Sequence, residues 1–579
     1  MSKGKKFIAV LMGALLAFSV ASTLVGCGKR EEYDDTKTQL FISTYNGGYK
    51  TEWLNKVAAR FEAQYADYKI DDKVGVQIII DATTDFGNSL LQNWGSVASE
   101  IFFTEGVYYY DFVNGGYMLD LTDAITSDLP GENKSIFDKF SEQQKEFYAA
   151  RKDDGKDHFY GVPFASGFSG LVYDIDMFYT EGLHYTKESD DNTSLSRDAR
   201  FIRKSQKDAN GAYYTTIEQD GQTYRKTTAG DILSHGPDGE YGTDDDGLPD
   251  TYDAFFDLCD YMVYDCSGLV PFAWSGKSKA GYLAWLWNQL AIDCNGAEES
   301  RKGFGFEGFA TNVVSVGDDG TVTKLPDANL AEEPLAVFRT EGKYRAYEFM
   351  NKIADTPAYY EASGGGGETS TNYDAQRTYL NSKTTATRYA FLVDGIWWQN
   401  EAKDAFDYMA KIDASNSKQN RQFGLLPLPK VDDTRLGAPT ILDTHLTLGF
   451  VSSKIAAKKA DLAKEFIRFC FTEESNKEFT LTTGVPRPLE YTLTESEVAQ
   501  LSPFERNIYN VFRSADIVYP ISKSKYYLNN VGRVVNSSYY TRLNGTNYIS
   551  FWEIIKEVNA TPKQMFDGIY EYASSTFIK

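Results

Sequence analysis

The sequence predicts an α/β protein whose sheets are covered by helices on both faces. Three observations predict this class: apolar runs of strand length recur along the chain, amphipathic segments of helical period lie between them, and turns rich in Gly and Asn separate the two. The chain has 579 residues, of which 42% are hydrophobic and 24% charged, so it can bury more than one sizeable core. This composition excludes a long disordered chain.

The amino terminus has the pattern of an export signal. Three lysines precede an apolar stretch over residues 7–18, which is shorter than the roughly 20 residues of a spanning helix. The residues at 24–27, LVGC, resemble a bacterial lipobox, in which Cys27 is diacylated through its thiol and becomes the new amino terminus after cleavage. We therefore expect a signal peptide at 1–26 and a charged, flexible tether at 27–37.

The first elements after the tether are strand, turn and helix. The apolar run at 40–45 ends at Asn46, and residues of helical spacing follow it. Two further strands are predicted at 76–80 and 101–103, with a helix between them, and the second stops at Thr104. Because ligands of such sheets bind at the carboxyl ends of strands, the turns at Asn46 and Thr104 should share one rim.

The same alternation continues through the rest of the chain, with one interruption. Residues 179–247 are polar and predict an insertion with short hairpins. Proline-containing segments at 160–163 and 427–429 predict chain crossings. Further strands are predicted at 170–173, 269–273, 390–393 and 446–451, and helices at 249–264, 280–292 and 457–471.

Charge and motif content narrow the function classes. With 59 basic and 82 acidic residues the net charge is −23, which argues against nucleic acid as a partner. The four histidines have no zinc-ligand spacing, and no nucleophile elbow or phosphate-binding loop is present in the sequence. Four cysteines remain after export without CxxC spacing; we expect most to be buried thiols, with disulfides as the alternative. Aromatic residues reach 15%, which suggests ring-lined surfaces for a planar or sugar-like ligand.

Seven stretches in a fixed order carry a resemblance to a known family. They are YNGGYKTEWLNKVAARFEAQY (45–65), SEIFFTEGVYYYDFVNGGYMLDLTD (99–123), YGVPFASGFSGLVYDIDMF (160–178), LPDTYDAFFDL (248–258), YAFLVDGIWW (389–398), FGLLPLP (423–429) and DLAKEFIRFCFTEES (461–475). In these stretches the chain resembles the extracellular solute-binding proteins of family 1, the maltose-binding-protein-like receptors of ABC importers. It departs from the family in the insertion at 179–247, in hairpins near 301–327 and in a long tail after 500.

The resemblance implies a periplasmic-binding-protein type II fold, in which two α/β lobes enclose a cleft and close over a ligand by hinge bending. It places lobe one at 38–158 plus 436–500, and lobe two at 159–435 plus 501–579. The hinge crossings would then lie near 160–163 and 427–435.

Candidate ligand residues follow from the chemistry of sugars and from the family's pattern. Sugar rings have apolar faces and hydroxyl edges, so their sites combine stacked aromatic rings with carboxylates and amides. Trp397 and Trp398 follow a predicted strand where the family has a stacking aromatic, and at least one of them should face the cleft; Trp285 and Trp287 are predicted to pack within a helix. The predicted ligand-binding residues are Asn46, Tyr49, Phe103, Thr104, Glu105, Tyr108, Phe164, Phe168, Trp274, Asp394, Trp397 and Trp398.

A second candidate site is the acidic segment GPDGEYGTDDDGLPD at 236–250. Asp and Gly at short spacing can surround a hard cation with oxygen ligands, and Gly247 aligns with the glycine of an EF-hand loop. The sequence leaves open a structural calcium site or a solvated acidic turn. The predicted ligands are Asp238, Asp244, Asp246, Asp250 and Asp253.

Together these patterns predict a monomeric, lipid-anchored receptor outside the cell, without a required cofactor or catalytic activity. It would capture a carbohydrate, preferably an oligosaccharide, and deliver it to the permease subunits of an ABC importer. Two alternatives stay open: a secreted glycan-active enzyme, for which no carboxylate pair stands out among 82 acids, and a polysaccharide-docking surface protein without a transport role.

Overall fold

Two four-stranded sheets form the centres of two α/β lobes in the computed structural model, which describes residues 33–84, 87–187, 197–360, 369–536 and 539–578. The predicted signal peptide and Cys27 lie outside the described residues. The first sheet has the spatial order Leu448–Val451, Ile101–Thr104, Thr38–Tyr45 and Val76–Thr83. The second has the order Leu269–Ala273, Arg388–Gly395, Ser169–Asp174 and Phe423–Leu426.

The first sheet is parallel except for the strand that arrives from the other lobe. Thr38–Tyr45 pairs in parallel with both neighbours, and its alternate residues are fully buried. Leu448–Val451 runs antiparallel to Ile101–Thr104, with Leu448 opposite Thr104. The register Thr44 to Phe103 brings the carboxyl ends of two parallel strands side by side, so the turns after Tyr45 and Thr104 share one rim.

Amphipathic helices cover both sheets. The helix Glu52–Gln64, for example, buries Trp53, Val57 and Phe61 at helical spacing. The other lobe-one helices are Asn88–Gln92, Tyr109–Asn114, Thr122–Thr126, Glu142–Tyr148, Ala457–Cys470, Glu473–Thr483 and Glu495–Val498. Those of lobe two are Ile175–Glu181, Tyr252–Tyr264, Lys279–Asn295, Ala297–Gly305, Glu341–Ala354, Asn372–Asn381, Trp398–Glu401, Lys403–Ile412, Pro503–Ser514, Lys525–Asn536, Phe551–Glu553 and Pro562–Thr576. None of the helices in the described ranges is long and apolar enough to cross a bilayer.

Both lobes also contain short two-stranded sheets outside the central ones. The predicted insertion contains the hairpin Tyr214–Gln219 with Gln222–Thr227, and the ring of Tyr179 stacks on that of Tyr213 at 4.5 Å. The remaining pairs are Lys69–Ile70 with Lys73–Val74, Ala150–Arg151 with Asp157–His158, Phe309–Ala310 with Ala328–Asn329, Val314–Val316 with Val322–Lys324, and Thr541–Leu543 with Thr546–Tyr548. Cys259, Cys266, Cys294 and Cys470 are free thiols.

The chain crosses between the lobes next to Val162, whose backbone pairs with that of Gly449. The return crossing lies later than the predicted 427–435. Lys430 still belongs to lobe two, because its Nζ contacts the buried Asp293 carboxylate at 2.9 Å and its backbone pairs with residue 250. The chain leaves lobe two only after the strand Thr440–Leu442, which pairs in parallel with Asp516–Val518.

Candidate functional site

The rim of lobe one presents Tyr45 and Glu105 side by side. Tyr45 ends the first strand, and Glu105 follows the neighbouring parallel strand. The Tyr45 hydroxyl hydrogen-bonds to the Glu105 carboxylate. Burial raises the pKa of Glu105, although His445 and Tyr45 both act to lower it. The register of the sheet therefore produces a half-buried carboxylate with a phenol beside it.

Trp397 faces this rim from lobe two. The strand Arg388–Gly395 carries it to the sheet edge, and its ring is 7% exposed. The rings of Trp397 and Trp285 are perpendicular to each other, with 5.7 Å between centroids. At Gly48 of lobe one, an added Cβ would lie 2.3 Å from Trp397 Cβ, so only a glycine allows the two lobes to approach this closely.

His445 connects the two sides. It lies on the crossing just before the strand Leu448–Val451, and its ring stacks on Trp397 with 4.8 Å between centroids and 20° between planes. Its Nδ1 lies 3.5 Å from Glu105 Oε2, which is longer than a normal hydrogen bond. A single side chain thus contacts the aromatic ring of lobe two and the carboxylate of lobe one.

Three buried polar atoms around this contact lack hydrogen-bond partners. They are Tyr49 Oη, Glu105 Oε2 and His445 Nδ1, and none of them has a hydrogen-bond partner among the described residues. The Tyr49 side chain is 4% exposed, and its pKa is raised well above the usual value by burial, with Glu105 adding to the effect. An unpaired buried polar atom costs about 1–3 kcal/mol, so this arrangement is suited to a ligand that supplies partners.

A hydrogen-bonded acidic network lies beside Trp397. Gln376 Nε2 donates to Asp394 Oδ2 at 3.0 Å and to Glu401 Oε2 at 2.8 Å. Burial, with Glu401 adding to it, raises the pKa of Asp394 well above its usual value. Burial and these two acids also raise the pKa of Tyr282, whose side chain hydrogen-bonds to Trp397. Several acceptors are therefore fixed around one indole ring.

A cavity of about 430 Å³ continues from this point between the lobes. Val107 and Leu446 line this cavity and follow Glu105 and His445 closely in the chain. The Val107 N–H donates to the Leu446 carbonyl at 3.3 Å, so the cavity lies next to the contact between Glu105 and His445. Its walls are mainly aromatic and basic: Tyr108, Tyr109, Tyr110, Phe147 and Tyr148 come from lobe one, and Lys523, Lys525 and Tyr527 from the carboxyl-terminal tail. The inter-lobe region therefore has a packed half at Trp397 and an open half at Tyr108.

The two adjacent tryptophans have different environments. Trp398 is fully buried, and its ring packs on Phe406, Phe423 and Phe504. Trp397 faces the other lobe, as adjacent positions at the start of a helix require. The pattern VDGIWW therefore supplies one ring for the inter-lobe site and one for the core.

Several other predicted ligand residues lie at a distance from the Trp397 contact. Trp274 packs on Tyr360 and Trp552 within lobe two, and Phe168 stacks on Phe512. Phe103 and Phe164 pack on Trp53 behind the rim. Asn46 is exposed, and Thr104 Oγ1 is buried beside the rim without a described partner. The predicted residues that the structure gathers at the inter-lobe site are Tyr49, Thr104, Glu105, Tyr108, Asp394 and Trp397.

The residues of the site that are absent from the sequence-based prediction include Tyr45, Tyr282, Trp285, Glu401 and His445. Tyr45 could have been found, because it precedes the predicted turn at Asn46. His445 required the antiparallel pairing of Leu448 with Thr104, which places the preceding residues beside Glu105. Trp285 packs on Tyr282 of its own helix, in line with the prediction, and its ring also contacts Trp397.

The acidic segment does not assemble the predicted calcium ligands. Asp246 accepts the backbone N–H of Gly242 at 2.9 Å, and Asp244 Oδ1 pairs with Arg225 at 2.7 Å. Asp250 accepts from Thr251, Asp253 lies in the first turn of the following helix, and Asp238 accepts the Glu240 N–H. Within the described ranges no three His, Cys, Asp or Glu side chains converge as metal ligands. Asp238 and Asp246 serve as hydrogen-bond acceptors for the turn's own backbone, and calcium binding by the predicted ligands stays a prediction.

Comparisons with known proteins agree on the architecture. No family model and no curated protein sequence matches the chain. Its structure is similar to that of the cyclic alpha-maltosyl-1,6-maltose binding protein from Arthrobacter globiformis, at 12% identity and a TM-score of 0.50 over 93% of this chain and 98% of that chain. The chain has a two-lobed binding-protein fold. The predicted fold class is thus confirmed.

Two further solved structures have lower TM-scores. A chitin oligosaccharide binding protein is 15% identical with a TM-score of 0.49, over 93% of this chain and 98% of that chain. The apo form of RafE from Streptococcus pneumoniae is 13% identical with a TM-score of 0.47, also over 93% and 98%.

Proposed function

We propose that the protein binds a carbohydrate between its lobes and, as a lipid-anchored receptor outside the cell, delivers it to an ABC importer. The observation that carries the proposal is the set of buried atoms without hydrogen-bond partners on Tyr49, Glu105 and His445, together with the stacking of His445 on Trp397. A sugar offers an apolar ring face for the indole and hydroxyl groups that both donate and accept for these atoms.

The surrounding network supports a ligand with many hydroxyl groups. Asp394 and Glu401 are held in place by Gln376, so their remaining lone pairs are oriented before a ligand arrives. Prearranged acceptors of this kind favour hydroxyl donors over apolar ligands. The similar structure with the TM-score of 0.50 is that of a cyclic alpha-maltosyl-1,6-maltose binding protein, which agrees with this chemistry.

The length of the site supports an oligosaccharide. The Trp397 contact alone suits one ring, whereas the 430 Å³ cavity beside it falls within the usual size range of ligand pockets, about 300–1,000 Å³. Tyr108 and Tyr527 line this second half from opposite lobes. A chain of sugar units that contacts both halves would hold the lobes together.

Capture and release require the lobes to separate. The crossings next to Val162 and after Leu442 are the connections about which they would rotate. We expect the free protein in solution to populate a more open form, with a larger radius of gyration by small-angle scattering than the sugar-bound protein. Equal radii with and without a sugar that binds would contradict closure.

Anchoring rests on the lipobox at residues 24–27, which lies outside the described residues. Cys27→Ala should release the protein from the membrane fraction into the medium. Cys266→Ala is a matched control, because this half-buried thiol lies within lobe two and should leave fractionation unchanged. Retention of the Cys27 variant on membranes after a salt wash would place the anchor elsewhere.

Binding is tested by a thermal-shift screen of mono- and oligosaccharides, followed by calorimetry on each sugar that raises the melting temperature. Binding without turnover, monitored by chromatography of the sugar, supports a receptor. Cleavage products would instead support a glycan-active enzyme. Failure of every sugar class to bind would overturn the proposed function.

A further inference from the structure

We propose that His445 acts as an internal competitor for the ligand: in the free protein its imidazole occupies the face of Trp397 on which a sugar ring would stack, and the ligand displaces it. This inference rests on the proposed function, because it concerns the same site. It adds His445 as a residue that lowers the affinity for the ligand. His445 is not among the ligand residues predicted from the sequence.

The stacking geometry is the first support. The two rings lie 4.8 Å apart at 20°, which is the offset parallel arrangement that a flat ligand ring would also adopt. Trp285 already packs perpendicular to the indole, and the Gly48 backbone lies against the Trp397 Cβ. With the ring only 7% exposed, the face of Trp397 under His445 cannot hold a sugar until His445 moves.

The polar contacts of His445 give the second support. Its Nδ1 points toward Glu105 Oε2 but stops at 3.5 Å, and both atoms are buried without a hydrogen-bond partner. The imidazole therefore supplies the stacking contact and leaves the polar one unsatisfied. A sugar could supply both the stacking contact, through its ring face, and the polar contact, through a hydroxyl at hydrogen-bond distance from Glu105. Exchange of the imidazole for a sugar is therefore favourable.

The backbone around His445 allows the side chain to move alone. The Thr444 N–H donates to the Gly167 carbonyl, the His445 N–H donates to Asp443 Oδ1, and the Thr447 N–H donates to the His445 carbonyl. These bonds fix the chain at the crossing. At Gly167 an added Cβ would lie 2.1 Å from His445 Cγ, so the imidazole also packs directly against the neighbouring crossing segment. Rotation of the side chain would then uncover Trp397 and free the contact with Gly167 together.

The proposal also defines what the ligand presents at this position. A group that replaces the imidazole needs a flat, largely apolar face toward Trp397 and a hydroxyl donor toward Glu105 Oε2. A pyranose ring with an equatorial hydroxyl meets both requirements, whereas a sugar with a carboxylate at that point would face Glu105 with like charge.

Proton NMR of the histidine rings tests the displacement directly, because the chain has only four histidines. In the free protein the ring proton of His445, assigned by its loss in His445→Asn, should be shielded by the indole, and the shielding should disappear in Trp397→Leu. A saturating sugar identified by calorimetry should remove the shielding in the wild type. A signal that stays shielded while the sugar binds would overturn the competitor, whereas absence of binding by any sugar would overturn the proposed function.

Affinity gives an independent readout. His445→Ala should bind the same sugar roughly 2- to 10-fold more tightly, because the stacked imidazole no longer competes. His235→Ala is the matched control, since this histidine lies in the insertion and should leave affinity unchanged. Weaker binding by His445→Ala, with an unchanged melting temperature, would show that His445 is a ligand contact and would overturn the competitor.

Discussion

The inter-lobe site and the acidic turn at 236–250 both concentrate carboxylates, but their hydrogen bonding differs. At the inter-lobe site, Glu105 Oε2 stays buried without a hydrogen-bond partner among the described residues, 3.5 Å from His445 Nδ1. In the turn, Asp246 accepts backbone N–H groups of Gly242 and Thr243, and Asp245 accepts the N–H of Asp238. Since a ligand gains most where it completes unsatisfied groups, the inter-lobe site is the better candidate for binding.

The largest expected effect is a loss of sugar affinity when the inter-lobe site, rather than the acidic turn, is changed. Trp397→Ala should weaken sugar binding by about 2–4 kcal/mol, roughly 30- to 1,000-fold, because a buried stacking surface is lost. Calorimetry measures it. Tyr408→Ala is a matched aromatic control in the same lobe, since its side chain is 67% exposed, and it should bind like the wild type. Unchanged affinity in a folded Trp397→Ala protein would show that the ligand binds elsewhere.

The second effect concerns the acid of the rim. Glu105→Gln should weaken binding by about 0.5–1.5 kcal/mol, roughly 2- to 12-fold, because the amide oxygen still accepts one hydrogen bond from the sugar while the charge is lost. Asp244→Asn is the matched control, because this acid pairs with Arg225 in the insertion and should not affect sugar binding. Equal losses in the two variants would mean that overall charge, rather than contact, sets the affinity.

The sequence predicts the fold and the rim well, because both depend on local patterns. Apolar periodicity located the central strands of both sheets, and parallel pairing then brought Glu105 beside the turn at Asn46. The sequence does not show which of Trp397 and Trp398 faces the cleft, because that depends on where the helix starts and on the packing of Trp398 against Phe504.

Residues placed by long-range pairing escaped the prediction altogether. His445 reaches Glu105 only because Leu448 pairs with Thr104 across more than three hundred residues of sequence. The acidic turn shows a different limit of sequence patterns. Its Asp and Gly spacing matches a calcium loop, but the same spacing lets the carboxylates accept hydrogen bonds from the turn's own backbone, and a sequence pattern does not distinguish the two.

The smallest expected effect tests the acidic turn through its pH dependence. Burial raises the pKa of Asp246 to about 7, whereas an unfolded Asp titrates near 3.9. Because the folded pKa is the higher one, Asp246 contributes no penalty below about pH 4, and its ionisation lowers the stability of the fold as pH rises toward about 7. Asp245, whose pKa burial raises to about 6, acts in the same direction.

Between pH 4 and pH 8, the melting temperature of Asp246→Asn should therefore fall less than that of the wild type. Differential scanning fluorimetry with chelator present measures both curves. The difference between the two curves isolates this residue, because every other titrating group is shared. Asp253→Asn, at an exposed position in the first turn of the helix Tyr252–Tyr264, is the control and should follow the wild-type curve. If calcium added at pH 7 raises the wild-type melting temperature and abolishes the difference from Asp246→Asn, the carboxylates of the turn serve a cation after all, and the contrast with the inter-lobe site fails.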